Sequence, residues 1–433
     1  MFKVCCYTVI TFFLSLNNSS ANEMKLTELI KIAEDRNELL LMQKEKNNQV
    51  SIEKNLIKAK LYPTLNFQLN ALRNKDAVFS GSARMGGDAY NFYQSQLRLV
   101  QNLYVYGSLS SLELNNIQEK NEIINYEMSK KQIKHNLITA FYQYILNRNI
   151  KNHLEKSRAI MAQSLKAAED RYQTGRGQLL DVLQIKTEYE LINPELVSSQ
   201  KAIDQALSKV NYYLSNTIDD QIQFVGDLKL IKFNDVINLL KNNHSVVLEQ
   251  EALDLKFKSL QLQNEVEQSS DYPSLKLVGD YLFNNYKKSD LFSDPSHSWA
   301  ISLQLSIPLF SGFSSHFTQK RFLSEKSQLQ YYKRDLEKSL ALNQIQSEKN
   351  IEATEASLKS ALSALSLAEK SQVEALKNYK LATIDLLQYL KVEQSLLQAQ
   401  KNIEILKHQS IMHLVDYFYH SGFSIDELVK KLE

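Results

Sequence analysis

The stretch Trp299–Gly312, WAISLQLSIPLFSG, alternates for nine residues and then stops. Trp299, Ile301, Leu303, Leu305 and Ile307 fall on one side, and Ala300, Ser302, Gln304 and Ser306 on the other. A period of two marks a strand that is apolar on one face and wet on the other. Pro308 then removes a ladder donor and Gly312 frees the backbone to turn, so the strand leaves through Pro-Leu-Phe-Ser-Gly. A tilted strand crosses a bilayer in about 9–11 residues, the length seen here. An ordinary half-buried hairpin alternates in the same way, and the barrel signal of any single strand is weak.

Working outward, the chain repeats itself with a period near 207 residues. Leu61-Tyr62-Pro63-Thr64-Leu65 answers Asp271-Tyr272-Pro273-Ser274-Leu275. Leu103-Tyr104-Val105-Tyr106-Gly107-Ser108 answers Pro308-Leu309-Phe310-Ser311-Gly312-Phe313. Tyr172–Leu183 (YQTGRGQLLDVL) answers Tyr379–Leu390 (YKLATIDLLQYL). Such a period is too long for a solenoid of short repeats. It reads as a duplicated half-molecule, with an export signal at 1–21, a first repeat at 22–226 and a second at 227–433. In each repeat a helical stretch (Leu26–Lys60, Phe233–Gln268) precedes two strands, expected at about 64–73 and 92–103, and at about 274–284 and 298–309. Leu65, Phe67, Leu69 and Ala71 alternate with Asn66, Gln68 and Asn70. Leu97, Leu99 and Leu103 alternate with Gln96, Arg98 and Asn102, and Leu275, Leu277, Gly279, Tyr281 and Phe283 share one side. The joining segments, Asn74–Asn91 and Asn284–His297, read as polar loops, long for hairpins that usually take about 2–5 residues. Outer-membrane barrels carry such loops on the outside.

Helical hairpins are expected at about 108–215 and 313–420. Their first arms, Gly107 to Tyr172 and Gly312 to Tyr379, hold no internal Gly or Pro and would each be about 100 Å long. Leu358, Ala361, Leu362, Leu365 and Ala368 have the spacing of a packed helical stripe. Ala353, Ala356, Ala364 and Ala375 are small enough for close helix approach. Pro194 falls inside an apparent helix, where a kink or break is expected. The 433 residues include only 10 Gly and 5 Pro, too few for compact turn-rich β domains. Net charge is +2 and no basic stripe is present, so no nucleic-acid partner is expected. Lys3, the apolar Val4–Leu16 and the small Ser19 and Ala21 make an export signal, with cleavage expected after Ala21. Cys5 and Cys6 lie inside it, which leaves the mature chain without thiol chemistry.

Four strands cannot close a barrel, and open edges are not tolerated in lipid. Membrane-inserted strands must therefore be pooled, and three copies give about 12, an even number in the bacterial range. The expected fold is mainly α with a small β part: two tandem repeats of helix, β-hairpin and long helical hairpin. These would trimerise into a 12-stranded outer-membrane β-barrel continued by a periplasmic α-helical barrel. The duplicated halves, the two Tyr-Pro-x-Leu strand starts, the Pro-Leu-Phe-Ser-Gly exit and the Tyr-x-x-Gly hairpin followed by Leu-Leu-Asp-Val-Leu resemble the TolC family of outer-membrane efflux proteins. That resemblance implies a homotrimer in contact with outer-membrane lipid, with a large periplasmic portion. It also implies docking to a periplasmic adaptor (membrane fusion) protein and an inner-membrane transporter, for tripartite efflux or type I secretion of small molecules or proteins.

The resemblance further implies that the hairpin tips, Tyr172–Gly177 and Tyr379–Thr383, close the periplasmic entrance and touch the adaptor. The expected contact residues are Tyr172, Thr174, Gly175, Arg176, Gly177, Ala382 and Thr383. Gly175 and Gly177 suit a turn with positive φ, whereas Ala382 stands where the family usually has Gly. The constriction candidates are Tyr379, Asp385, Gln388, Lys391 and Asp181. Tyr379 matches a family tyrosine, Ile384 replaces an arginine, and Gln388 and Lys391 replace aspartates. Asp385 lies one turn away, and Asp181 keeps the acidic residue of the first repeat. Lys391 and Asp385 also suit an ordinary solvated helix face. No nucleotide, hydrolase or metalloprotease motif occurs, so no catalytic residue and no cofactor are expected. His413, Asp416 and His420 form a zinc- or copper-type donor set at i, i+3, i+7, but read as a polar helix face, and no metal is assigned. A soluble periplasmic coiled-coil adaptor or scaffold is the alternative, because a coiled coil describes the helices locally as well. A surface hydrolase would lack a nucleophile constellation.

Overall fold

A computed structural model describes residues 23–75, 77–80, 83–86, 89–215, 223–231, 233, 247–285, 287, 289, 297–381 and 383–432. The expected export signal, Ala382, Gly81, Gly87, Pro295 and most of 233–247 lie outside the described residues. The chain is mainly helical with a small antiparallel sheet. In chain order the strands are β1 (Glu23–Met24), β2 (Thr64–Asn74), β3 (Ala77–Ser80), β4 (Ala83–Gly86), β5 (Tyr90–Val105), β6 (Gln223–Phe224), β7 (Ser274–Asn285) and β8 (His297–Ser306). The helices are α1 (Leu26–Arg36), α2 (Glu38–Ala59), α3 (Ser108–Gln173), α4 (Leu179–Leu214), α5 (Leu248–Glu267), α6 (Ser314–Lys380), α7 (Leu386–Ser421) and α8 (Ile425–Leu432).

The sheet runs β2-β5-β7-β8, all antiparallel. Its register sorts side chains by face. Leu65 sits opposite Leu99, then Gly279, then Ile301; Phe67 opposite Leu97, Tyr281 and Trp299. This face is apolar and uncovered, with Trp299 69% and Ile301 71% exposed. The other face carries Asn66, Arg98, Asp280 and Gln96. Arg98 Nε donates to Asp280 Oδ1 at 2.7 Å and its Nη2 to Oδ2 at 3.1 Å, and Gln96 donates to Oδ1 at 2.7 Å. A register shift between Asn102 and Tyr104 places the extra residue at Leu103. Strand β8 stops at Ser306, so Ile307 is not in it, because Pro308 has no N–H to continue the ladder. The segment read as a polar loop after β2 holds the ribbon β3–β4, which pairs Ala77 with Gly86 and Ser80 with Ala83.

The main core sits at the waist, where β1 pairs in parallel with β6 and α1, α3, α4, α7 and α8 converge on Leu137, Phe141, Ile145, Phe224, Val415 and Phe418. Gly226 is required there, since a Cβ would lie 2.9 Å from Phe141 Cζ. Arg148 clamps the same segment, donating to the carbonyls of Phe224 (2.9 Å) and Gly226 (2.8 Å). Helix α8 is held by Asp426, which accepts from Lys134 Nζ at 2.7 Å.

The helical stretch expected from Leu26 to Lys60 consists of two helices, α1 and α2. Asn37 divides it, its Oδ1 accepting from Leu39 N–H (3.0 Å) while its Nδ2 donates to Tyr213 O (2.8 Å). Of the kink or break expected at Pro194, the break does not occur, and α4 is continuous through it. Proline frees the carbonyl four residues earlier, here that of Glu190, and both residues lie on the exposed face, where a freed carbonyl is not left buried. His408 of α7 has its Nε2 buried without a partner. Burial, with a smaller push from His413, drops its imidazole from 6.5 to about 4. Below the unfolded value the unfolded chain takes a proton the native one refuses, so this stability is present above pH 6.5 and is lost as pH falls toward about 4. Thermal melts from pH 7 to pH 4 should show a shallower decline in His408→Gln than in the wild type; identical slopes would contradict it.

Candidate functional site

The ends of the two helical hairpins meet. In the first, Thr174 closes α3, its Oγ1 donating to Asp170 O at 2.9 Å. Gly175 follows at φ 69°. Its N–H donates to Tyr172 O (3.0 Å), and Arg176 N–H to Arg171 O (2.8 Å), the pair of bonds that defines a Schellman termination. Gly177, expected at positive φ, does not take it; it is needed instead for close approach, since a Cβ would lie 3.0 Å from Tyr172 N. In the second, Thr383 N–H reaches Asn378 O at 2.9 Å, the same six-residue closure. Ala382 lies outside the described residues. Ile384, at the place of Gly177, instead packs its side chain against the apolar cluster between the hairpins.

Asp385 is the N-cap of α7, its Oδ1 accepting from Gln388 N–H at 2.7 Å. A capping carboxylate also faces the positive end of the helix dipole, so this acid has a local structural task. The corresponding Gln178 of α4 makes no side-chain cap. The side chains of Gln388 and Lys391 are exposed.

Tyr379 is the residue that ties the hairpins together. Its ring stacks on Tyr389 with centroids 4.9 Å apart and planes 8° from parallel. Arg171 of α3 lies over the Tyr379 ring at 5.3 Å. Burial pushes the Tyr379 phenol above its ordinary range, Arg171 opposes this, and nearby Asp181 adds to it. Burial likewise pushes Tyr389 up, reinforced by the carboxyl of Glu393. Glu393 is buried and accepts from Gln372 Nε2 at 2.8 Å. Around them pack Leu154, Met161, Val182, Ile185, Leu386 and Leu390. Further up, Gln394 donates to Glu188 (2.6 Å) and Lys401 to Glu195 (2.7 Å), joining α7 to α4. The structure thus brings Tyr379 and Asp181 together and leaves Lys391 and Gln388 apart on the surface. Arg171, Tyr389, Gln372 and Glu393 escaped the sequence reading. Tyr389 alone carried a signal, as an aromatic in place of Val182 in the repeat.

At the waist, Asp416 is held by His135 Nε2 at 2.7 Å. Among the described residues no group of His, Cys, Asp and Glu is arranged to hold a metal ion. Among the same residues, no helix is long and apolar enough to cross a membrane.

Residues 29–215 match the sequence model of a family described as "Outer membrane efflux protein". Comparison with curated proteins finds no match. Among solved structures, the chain is similar to the CmeC outer membrane channel of Campylobacter jejuni, with TM-score 0.80 and 15% identity over 100% of this chain and 97% of that one. It is similar to CusC, with TM-score 0.76 and 14% identity over 95% and 96%. The outer membrane protein VceC of Vibrio cholerae gives TM-score 0.75 and 14% identity over 92% and 96%. At these identities the likeness concerns the fold.

A double-mutant cycle between Arg171→Ala and Tyr379→Leu should return a coupling of about 0.5–1 kcal/mol, the worth of an exposed cation–π pair. Strict additivity in urea unfolding would show that the two side chains do not interact.

Proposed function

We propose, from the match of residues 29–215 to the outer membrane efflux protein family, that the chain is the outer-membrane exit duct of a tripartite efflux or type I secretion system. The observation that carries this reading is the sheet. It has four strands, two unpaired edges and one uncovered apolar face, on top of helices 66 and 67 residues long. Three copies pool their strands into a barrel of about 12, which removes every edge. The polar face, with Arg98 and Asp280, then lines the interior. The helices continue the wall into the periplasm for roughly 100 Å. The two halves, 22–226 and 227–433, act as the repeating units of this wall.

The hairpin ends form the periplasmic entrance, where Tyr172, Thr174, Gly175, Arg176, Gly177, Ala382 and Thr383 contact a periplasmic adaptor, with an inner-membrane transporter beyond it. Leu179, Leu180 and Leu387, exposed beside the turns, are the apolar side chains such a partner would cover. Tyr379, Asp181, Gln388 and Lys391 lie at the constriction, while Asp385 serves there chiefly as a helix cap. Cargo is a small molecule or a protein carried by the transporter.

Fractionation and sizing test the duct directly. The protein should be recovered with outer membranes and run as a trimer in mild detergent; a soluble or monomeric species would defeat the reading. Three Lys391 side chains around a closed entrance should bias the pore toward anions. Bilayer conductance that is cation-selective, and unaltered by Lys391→Ala, would remove Lys391 from the constriction.

A further inference from the structure

Among the described side chains, the polar face of the four-stranded sheet carries three charges: Arg98 on β5, with Lys276 and Asp280 on β7. Along β2 and β8 the same face holds hydroxyl, amide and aliphatic groups. Arg98 and Asp280 neutralise each other in a bidentate pair, which Gln96 completes. Lys276 has no such counterpart. Its neighbours in register are two neutral amides, Asn102 and Gln304. Among the described residues it forms no ion pair. Asp280 lies four residues along the strand, roughly 13 Å away. That is more than the Debye length of about 10 Å at 0.1 M salt, and its charge is already committed to Arg98.

The duplication shows that this lysine is peculiar to the second half. Tyr62-Pro63-Thr64-Leu65-Asn66 puts an amide where Tyr272-Pro273-Ser274-Leu275-Lys276 puts an ammonium. Each copy of the sheet therefore carries one uncompensated positive charge on this face. Lys276 lies two residues from the start of β7, at the end of the sheet nearest the helices.

We propose that Lys276 is a selectivity residue of the duct: three copies ring the barrel interior where the helical wall opens into it, and favour the passage of anionic solutes over cationic ones. This inference rests on the outer-membrane reading above. Twelve strands about 4.8 Å apart, tilted by about 40°, enclose a cylinder of roughly 12 Å radius at the backbone. The lysine side chains occupy part of that radius, so the centre of the bore lies within about 10 Å of each ammonium, one Debye length at 0.1 M salt. A solute cannot escape the ring by keeping to the axis.

Reversal potentials across a KCl gradient test this in planar bilayers. The full chain would carry Lys391→Ala throughout, so that the entrance adds no lysine ring of its own. Three charges acting at that range should bias the permeability ratio of chloride to potassium about two-fold, and Lys276→Gln should remove this bias at 0.1 M salt. Lys276→Glu should lower the ratio further. The glutamine variant leaves an amide like those on either side of it, and either variant alone suffices for the measurement. At 1 M salt, where the Debye length is about 3 Å, both should converge on the parent. A ratio that neither substitution moves overturns the assignment. A shift that persists undiminished at 1 M salt also overturns it, because it would come from altered shape and not from charge. Trimers that form no channel at all would instead defeat the duct reading itself.

Discussion

Backbone hydrogen bonding along the outer edges of β2 and β8 is the constraint on which the rest depends. The two inner strands have ladder partners on both sides, and these two have one each. In water an unpaired edge is hydrated at little cost, whereas in hydrocarbon each unsatisfied N–H or C=O costs several kcal/mol. The same strands present an apolar face that water disfavours. Face and edge therefore make opposite demands on one sheet, and only pairing with further strands meets both. Arg98 and Asp280 add a third demand, since a bidentate ion pair on the opposite face needs a wet side. In the proposed duct, a surface with lipid on one side, water on the other and no edge is a closed cylinder.

The described core is unevenly distributed along the chain's length. The waist holds the large cluster and the Arg148 clamp, and there Lys134 ties α3 to α8. The hairpin ends hold a smaller cluster centred on Tyr389 and Leu386. Low local packing is where partial opening costs least. Tyr379 stands at the joint between the hairpins, so separation of one from the other has to break its contact with Arg171 while the waist stays closed.

Strands and hairpin ends were legible in the sequence because each residue there answers to two distinct environments. Trp299 to Ser306 alternates since apolar and polar sides cannot exchange without shifting every residue. Gly175 was legible because positive φ selects its type. Other features leave no such mark. Asn37 looks like any polar helix residue until Tyr213 O is seen beside it. Asp385 looks like a pore acid or a surface acid with equal ease, and the cap on Gln388 N–H is a backbone event. Arg171 resembles the other charges of a solvated helix, because its partner lies 208 positions away in sequence. Pro194 reads as a break only if its freed carbonyl has no water, and that depends on which face points outward.

The pairing of β5 with β7 turns the first half of the chain into a closed circuit. Strand β5 runs into α3, and α4 and α5 bring the chain back to β7, beside the strand it left. With helices of 66, 36 and 20 residues, the helical path is roughly 100 Å out and about 85 Å back. A residue inserted into α3 would lengthen one leg by about 1.5 Å and turn everything beyond it by a quarter-turn or so. The mismatch would have to be absorbed by the seam that joins Arg98 to Asp280.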